Sequence, residues 1–365
     1  MRAAFVTTNL KGGGAEKAVL RIARGLAVRG HAVHVVLLEQ LLEHVPLEGV
    51  TLHALTDAGE AATKGWFGKR ITARRLRRLF QRLAHDTRFD LVVSTLPYSD
   101  EVAALAGLTP LWFRIANTLS VEIELLRRND RDKAQRRFAR YTRLYGASNL
   151  LAVSDGVAHD LSATLGFARA NVVRIYNPID VPEIRTLAAE PEPALPQEPY
   201  LLHVGRFAPQ KRHDLLFEAL RRSQLPHRLV LLANASPALE RLIADHDIAG
   251  RVTVAGFQAN PYPWIAGAEL LVLCSDHEGM PNVLGEALAC GTRVVSTDCP
   301  SGPREVLDGD LARFLAPCGD PEALAQAMRA ALAAPRPAAP RSLERFAAGR
   351  VISQYEALPG MWRRT

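Results

Sequence analysis

The chain has 365 residues, above the usual single-domain range, so two domains are expected. Its 48% hydrophobic and 23% charged content describes an ordinary soluble globular protein, and with no run of 18 or more apolar residues no transmembrane helix is predicted. The net charge of +7 and pI near 9.5 favour an anionic partner: nucleic acid, a membrane or a phosphorylated substrate.

The N-terminus, MRAAFVTTNL, enters strand-like sequence at once and does not fit a signal peptide. Cys274, Cys290, Cys299 and Cys318 lack metal-ligand spacing and are expected as reduced, buried thiols, which implies the cytoplasm. Residues 3–8 form the first predicted strand. The loop Asn9-Leu10-Lys11-Gly12-Gly13-Gly14 follows, then a helix over 16–29 with Val19, Ile22, Ala23 and Leu26 on its apolar face. The next strand is expected over 33–38, which completes a βαβ unit. The glycines permit close backbone approach to a ligand, but they fit neither G-x-G-x-x-G nor a P-loop.

Residues 57–88 carry Trp66 and Phe67, then a helical pattern with Leu76, Leu79, Phe80 and Leu83 on one face. Lys69, Arg70, Arg74, Arg75, Arg77, Arg78 and Arg82 cover much of the rest. A basic amphipathic helix beside aromatics suits an anionic membrane surface. A plain domain helix with a solvated basic face is the alternative. Nucleic acid is not expected, because no stacking platform or known motif accompanies the charge. Strands are expected over 90–96, 111–115, 150–154 and 172–176, with a second basic helical region over 122–145.

The Pro- and Glu-rich stretch 189–199 predicts an extended linker between two halves of alternating strands and helices. That alternation predicts parallel sheets covered by helices. In the second half, strands are expected over 200–204, 228–233, 251–255, 270–274 and 292–296. The apolar run 270–273 leads into CSDHEGMPNVLGEALACG, which spells strand, polar loop and helix, with the helix start near Met280 and Pro281. A helix start suits phosphate. Glu278 lies just before it, and Glu286 lies inside it, roughly 8 Å along the axis at 1.5 Å per residue. A carboxylate suits adjacent sugar hydroxyls, so the layout fits sugar, diphosphate and ribose in turn. Three D-x-D triplets, at 130–132, 245–247 and 308–310, do not follow apolar strands directly and are expected as polar loop or helix residues. No metal or cofactor is expected.

Glu278, seven residues and Glu286, with EGMPNVLGEALACG around them, resemble the E-x7-E donor loop of retaining GT-B glycosyltransferases of family 4. The resemblance extends to GRFAPQK at 205–211, to Gly-Gly-Gly-Ala-Glu at 12–16, to Ser154-Asp155-Gly156-Val157 and to Asn177-Pro178-Ile179-Asp180. It implies an α/β GT-B fold, two Rossmann-like domains facing each other across a cleft. It places the N-terminal domain at 1–185, the linker at 186–199 and the nucleotide-sugar domain at 200–342. A final helix over 343–358 would return to the first domain. Donor contacts implied are Gly13, Gly14, Arg206, Lys211, Phe257, Glu278, Gly279, Met280, Pro281, Asn282, Val283 and Glu286. Gly12 and Asn117 would face the acceptor side of the cleft. A His that the family often carries has Ala116 at its position here, so no imidazole role is assigned.

The implied activity is transfer of a hexose or N-acetylhexosamine from a nucleotide diphosphate sugar, a UDP-sugar by the look of the loop, with retention. Arg206 and Lys211 would stabilise the leaving diphosphate, and Glu278 would position the sugar. The implied partners are the donor, a glycan or lipid-linked acceptor, and an anionic membrane touched by Trp66, Phe67, Arg74, Arg75, Arg77 and Arg78 at the cytoplasmic face. A GT-B sugar-nucleotide epimerase and a non-catalytic basic nucleic-acid-binding protein are the alternatives.

Overall fold

The structure is a computed structural model that describes residues 1–365 except 11–12, 42–47, 58–64, 85–86, 338–340 and 365. The chain divides into two compact units, Met1–Pro178 with Ala348–Thr365, and Ile179–Ala347.

The first unit runs β1 (Arg2–Thr7), α1 (Gly14–Val28), β2 (Ala32–Leu37), β3 (Val50–Ala54), α2 (Gly65–Leu83), β4 (Leu91–Thr95) and α3 (Pro97–Ala106). It continues with β5 (Leu111–Ile115), α4 (Leu119–Asn129), α5 (Arg131–Tyr145), β6 (Asn149–Ala152), α6 (Asp155–His159) and β7 (Asn171–Arg174). Its seven strands make one parallel sheet in the order β3-β2-β1-β4-β5-β6-β7. The central strands are buried on both faces and are mostly apolar, though Ser94, Thr95 and Arg114 are buried within them. Beneath α2 and α3, Ala73, Leu76 and Phe80 pack with Val92, Val102 and Ala103 against the sheet.

The second unit runs α7 (Val181–Ala188), β8 (Tyr200–Val204), α8 (His213–Ser223), β9 (Arg228–Leu232), α9 (Pro237–Asp245), β10 (Val252–Val254) and α10 (Tyr262–Gly267). Then come β11 (Leu270–Leu273), α11 (Asn282–Ala289), β12 (Arg293–Thr297), α12 (Pro303–Val306), β13 (Leu315–Ala316) and α13 (Pro321–Ala333). Its six parallel strands have the order β10-β9-β8-β11-β12-β13. In each sheet the order reverses once, between β1 and β4 and between β8 and β11. Ligands of open α/β sheets bind beyond the strand C-termini at such points.

Several elements differ from expectation. The strands β3 and β13 are additional; β3 is a half-exposed edge strand and β13 has only two residues. The basic region 122–145 is two helices, because Asp130 leaves the helical conformation and its side chain accepts from the Lys133 N–H as the cap of α5. The helix α7 packs on α10 and α11, so the chain leaves the first unit at Pro178, and the Pro-rich stretch joins α7 to β8. Of the four cysteines, Cys274 and Cys299 are buried, but Cys290 is half-buried and Cys318 is exposed, because β13 ends before it.

The last helix, α14 (Ala348–Met361), belongs to the first unit and packs on α1. Arg29 beyond α1 donates to the Glu356 carboxylate at 2.7 Å and to the Gly349 carbonyl at 2.7 Å. The close approach depends on Gly25, where an added Cβ would lie 2.6 Å from Cδ1 of Ile352. Gly25→Val should therefore destabilise the first unit by about 1–3 kcal/mol. Adding Ile352→Ala to that variant should return part of the loss in thermal unfolding. A double variant that loses the sum of the two single effects would rule out this contact as the cause.

Candidate functional site

At the reversal point of the second unit, β8 runs into Gly205 and Arg206, and β11 runs into Cys274 and Ser275. The two loops are stitched together. The Asp276 N–H donates to the Gln210 carbonyl at 2.9 Å, and Gln210 Nε2 donates to the His277 carbonyl at 2.6 Å. The Cys274 thiol donates to the carbonyls of Lys211 and Arg212, at 3.0 and 3.3 Å. Burial raises that thiol far above its usual range, so it acts as a small inert donor. Arg212, in the left-handed region at φ 48°, pairs with Asp214 and Asp276 at 2.9 Å each.

These bonds bring Lys211 to Glu278. Lys211 Nζ donates to Glu278 Oε1 at 2.6 Å, with both side chains mostly covered. Arg206 by contrast is exposed and has no hydrogen-bond or carboxylate partner among the described residues. A held lysine and an unpaired arginine at a strand C-terminus form a cationic edge that suits a diphosphate.

Under the loop, His203 and His213 stack edge to face with ring centroids 4.7 Å apart. His203 Nδ1 donates to the Val272 carbonyl at 2.9 Å. Burial, and then the neighbouring Lys211, lower the His213 pKa to about 4; burial, and then His213, lower that of His203. Both rings are neutral at neutral pH and add no charge behind Lys211.

The donor loop is walled by the loop after β12. The Glu278 N–H donates to the Pro300 carbonyl at 3.5 Å, and Thr297 Oγ1 to the Ser275 carbonyl at 2.6 Å. Gly302, at φ 101°, sits so close that a Cβ would lie 2.4 Å from Pro281 Cδ and 3.0 Å from the Gly279 carbonyl. Pro281 caps α11, Gly279 and Met280 are buried, and Asn282 and Val283 are half-buried on its first turn. Glu286 lies further along α11, only 8% exposed, and accepts from Tyr262 Oη at 3.4 Å. Gly285 is bare because Ile179 fills its space, 2.2 Å from where a Cβ would sit. Phe257 is 39% exposed in the turn after β10, where Gly256 has φ 78°.

The second unit thus brings together Arg206, Lys211, Glu278, Met280, Pro281 and Glu286 on adjoining loops. The contacts of Tyr262 and Gln210 were not expected, nor was that of Gly302 with Pro281, although the turn at Gly302 was expected to face the cleft. Their partners lie 24, 67 and 21 residues away in sequence, beyond any local motif.

The first-unit candidates are used locally. Gly13 caps α1, and the carboxylate of Glu16 occupies the space its missing Cβ leaves, 2.0 Å from that position; Gly14 begins the helix. Gly12 lies outside the described residues. Asn117 accepts from the Thr118 N–H and donates to Glu122 Oε1, each at 3.0 Å, at the start of α4. On α2, Trp66 and Phe67 are 61% and 75% exposed, and Arg70 stacks on Trp66 at 4.1 Å. Arg74, Arg75 and Arg78 are exposed without partners among the described residues. Arg77 differs: its guanidinium donates to the Leu105 and Ala106 carbonyls at the end of α3, which withdraws it from the outer charge. Lys69 is likewise held by Glu101. Among the D-x-D triplets, Asp130 caps α5 and Asp308 pairs with Arg345. Among the described residues, no group of three or more His, Cys, Asp or Glu could hold a metal ion.

The sequence matches the family described as Glycosyltransferase Family 4 over residues 12–183 and the one described as Glycosyl transferases group 1 over residues 198–334. The chain belongs to the GT-B glycosyltransferases of family 4. It is 35% identical over 166 residues to the N-acetylgalactosamine-N,N'-diacetylbacillosaminyl-diphospho-undecaprenol 4-alpha-N-acetylgalactosaminyltransferase of Campylobacter jejuni, covering 45% of each chain. It is 31% identical over 165 residues to the lipopolysaccharide 1,6-galactosyltransferase of Salmonella typhimurium, covering 43% of this chain and 45% of that one. The chain thus spans less than half the length of these curated relatives. Among solved structures, sucrose-phosphate synthase of Thermosynechococcus elongatus superposes with a TM-score of 0.77 at 18% identity, covering 98% of both chains. Anabaena HepE in complex with UDP and glucose gives 0.71 at 21% identity, covering 99% of both. At these identities the likeness concerns the fold.

Gly302→Ala should push the donor loop outward. Amide exchange at Gly279, Met280 and Asn282 should quicken by about tenfold or more, with little change at the far end of the sheet. Unchanged exchange there would show that the loop does not rest on Gly302.

Proposed function

We propose that the chain is a retaining glycosyltransferase that moves a hexose or N-acetylhexosamine from a UDP-sugar to a hydroxyl of a lipid-linked or surface-glycan acceptor. The observation that carries this reading is Arg206, exposed and without a hydrogen-bond or carboxylate partner among the described residues, on the same loop as Lys211 of the Lys211–Glu278 pair, with Glu286 further along α11. The relatives named for lipid-linked and lipopolysaccharide acceptors, and the fold neighbour holding UDP and glucose, support it.

In the proposed reaction the bond from the sugar's anomeric carbon to the diphosphate oxygen breaks. The acceptor oxygen bonds that carbon from the same face, and its proton passes to the departing phosphate oxygen. Nucleoside diphosphate leaves. Arg206 and Lys211 meet the charge that grows on the phosphate, so neither a metal ion nor a cofactor is required. Glu278 holds sugar hydroxyls, and Glu286 holds the ribose.

Charge that develops in the transition state is what Arg206 would stabilise. Arg206→Ala should therefore lower kcat by about 100-fold while the donor KM changes severalfold at most. A variant changed only in KM would remove Arg206 from that role. The assay separates the alternatives too, since an epimerase would release an altered nucleotide sugar without acceptor.

We further propose peripheral binding to the cytoplasmic face of a membrane. No described helix is long and apolar enough to cross one. The exposed Trp66, Phe67 and Ile71 lie on α2 among Arg70, Arg74, Arg75 and Arg78. Each basic residue near an anionic bilayer contributes about 1 kcal/mol. Replacing Arg74 and Arg78 by Ala should therefore weaken binding to anionic vesicles on the order of 30-fold at low salt. Flotation of the variant equal to wild type, or no flotation of wild type, would overturn the membrane reading.

A further inference from the structure

A carboxylate that is to read a pair of hydroxyls must hold one orientation before the ligand arrives. Glutamate has three side-chain torsions, and fixing them costs entropy. Glu286 lies on α11 and is 8% exposed. It is close enough to the Cys290 thiol that its charge adds to burial in pushing that thiol up to about 12.

Tyr262 reaches Glu286 from a different element, and its O–H donates to Oε1 at 3.4 Å. Tyr262 is itself firmly placed. It opens α10, is 6% exposed, and is flanked by Pro261 and Pro263, which restrict the backbone. Its N–H donates to Asn260 Oδ1 at 3.1 Å. Asn260 Nδ2 in turn donates to the Leu187 carbonyl at 2.9 Å and to Glu190 Oε2 at 2.7 Å. The chain of contacts therefore runs from α7 through Asn260 and Tyr262 to the carboxylate on α11. A tyrosine has two torsions and a neutral donor, so it fixes a carboxylate without neutralising it.

We infer that Tyr262 is a positioning residue that sets Glu286 to accept the ribose hydroxyls of a nucleoside diphosphate, and so makes the site selective for ribonucleotides. This rests on the donor-site reading above and adds to it a residue and a selectivity. An ionised carboxyl has about four lone-pair directions, of which the phenol takes one, so this contact does not by itself bar the 2′ and 3′ hydroxyls. At 3.4 Å the contact is longer than the roughly 2.5–3.0 Å usual for an O–H donor, so the phenol orients the carboxylate without competing strongly with ligand hydroxyls.

The test measures binding of UDP and 2′-deoxy-UDP by calorimetry to wild type, Tyr262→Phe, Glu286→Gln and the double variant. GDP and ADP with their 2′-deoxy forms are run alongside. Wild type should prefer the ribonucleotide by about tenfold or more. Tyr262→Phe should lose most of that preference, weakening the ribonucleotide while leaving the deoxy form within about twofold. The double variant should be no weaker than Glu286→Gln, because both changes remove one arrangement. Turnover should show a raised donor KM with kcat retained. A Tyr262→Phe variant that weakens both nucleotides equally, or whose effect adds to that of Glu286→Gln, assigns Tyr262 to packing alone and overturns the inference while the donor reading stands. Wild type that binds ribo and deoxy forms equally also overturns it. Wild type that binds no nucleoside diphosphate overturns both.

Discussion

Everything in the second unit depends on holding two loops together where the strand order reverses. The loop after β8 carries positive charge and the loop after β11 carries negative charge, and each would be a flexible strand end alone. Backbone and side-chain bonds from Gln210, Cys274 and Asp276 fix their spacing. The ion pair between Lys211 and Glu278 is a result of that spacing rather than its cause. Mostly covered pairs of this kind contribute modestly to stability, but removing one partner strands the other charge. The neutral His203 and His213 beneath explain how the pair tolerates its setting. A protonated imidazole there would repel Lys211, and burial keeps both rings uncharged.

The first unit solves the same problem of loop and helix start with its own side chains. At Gly13 the bare Cα admits the carboxylate of Glu16, an acid on the first turn of α1, which favours the helix start. At α4, Asn117 spends both ends of its amide on Thr118 and Glu122. Gly13 and Asn117, which look available to a ligand in sequence, are therefore engaged by neighbouring residues here. The basic helices divide in the same way. Arg137 and Arg140 face Glu122 and Glu101, and Lys69 and Arg77 are bound to α3, whereas Arg74, Arg75 and Arg78 keep their charge outward.

Those contrasts explain what was legible in the residues alone. Strands buried on both faces announce themselves as apolar runs, and Leu270–Leu273 into Glu278 was the clearest. The half-exposed Val50–Ala54 carries no such run, and two residues at Leu315–Ala316 form no pattern. Asp130 within a basic helical stretch reads as one more polar residue until its carboxylate is seen capping the next helix. Proline at 191–197 marked an irregular stretch correctly, but the break between units follows packing, and α7 packs with α10 and α11. The candidate acids and bases were visible because their spacing is local. Tyr262, Gln210 and Gly302 act through contacts across the fold, and no spacing rule reports those.

The two candidate carboxylates differ in a way that bears on order of events. Glu278 is held by a cation, Lys211, whereas Glu286 is touched by a neutral phenol. On the proposed reading, a diphosphate entering the first environment would compete with Glu278 for the ammonium, so that end of the site would redistribute its bonds as the anion arrives. The second environment contains no such competition, because the phenol is neutral and offers an incoming phosphate no cation that Glu286 would have to give up. On the proposed reading, the nucleoside end of the donor meets a site already arranged, and the phosphate end completes its site only on binding. Release of Glu278 from Lys211 then frees the carboxylate for the sugar at the moment the lysine turns to phosphate. One ion pair would thereby link recognition of the sugar to the presence of the group that leaves.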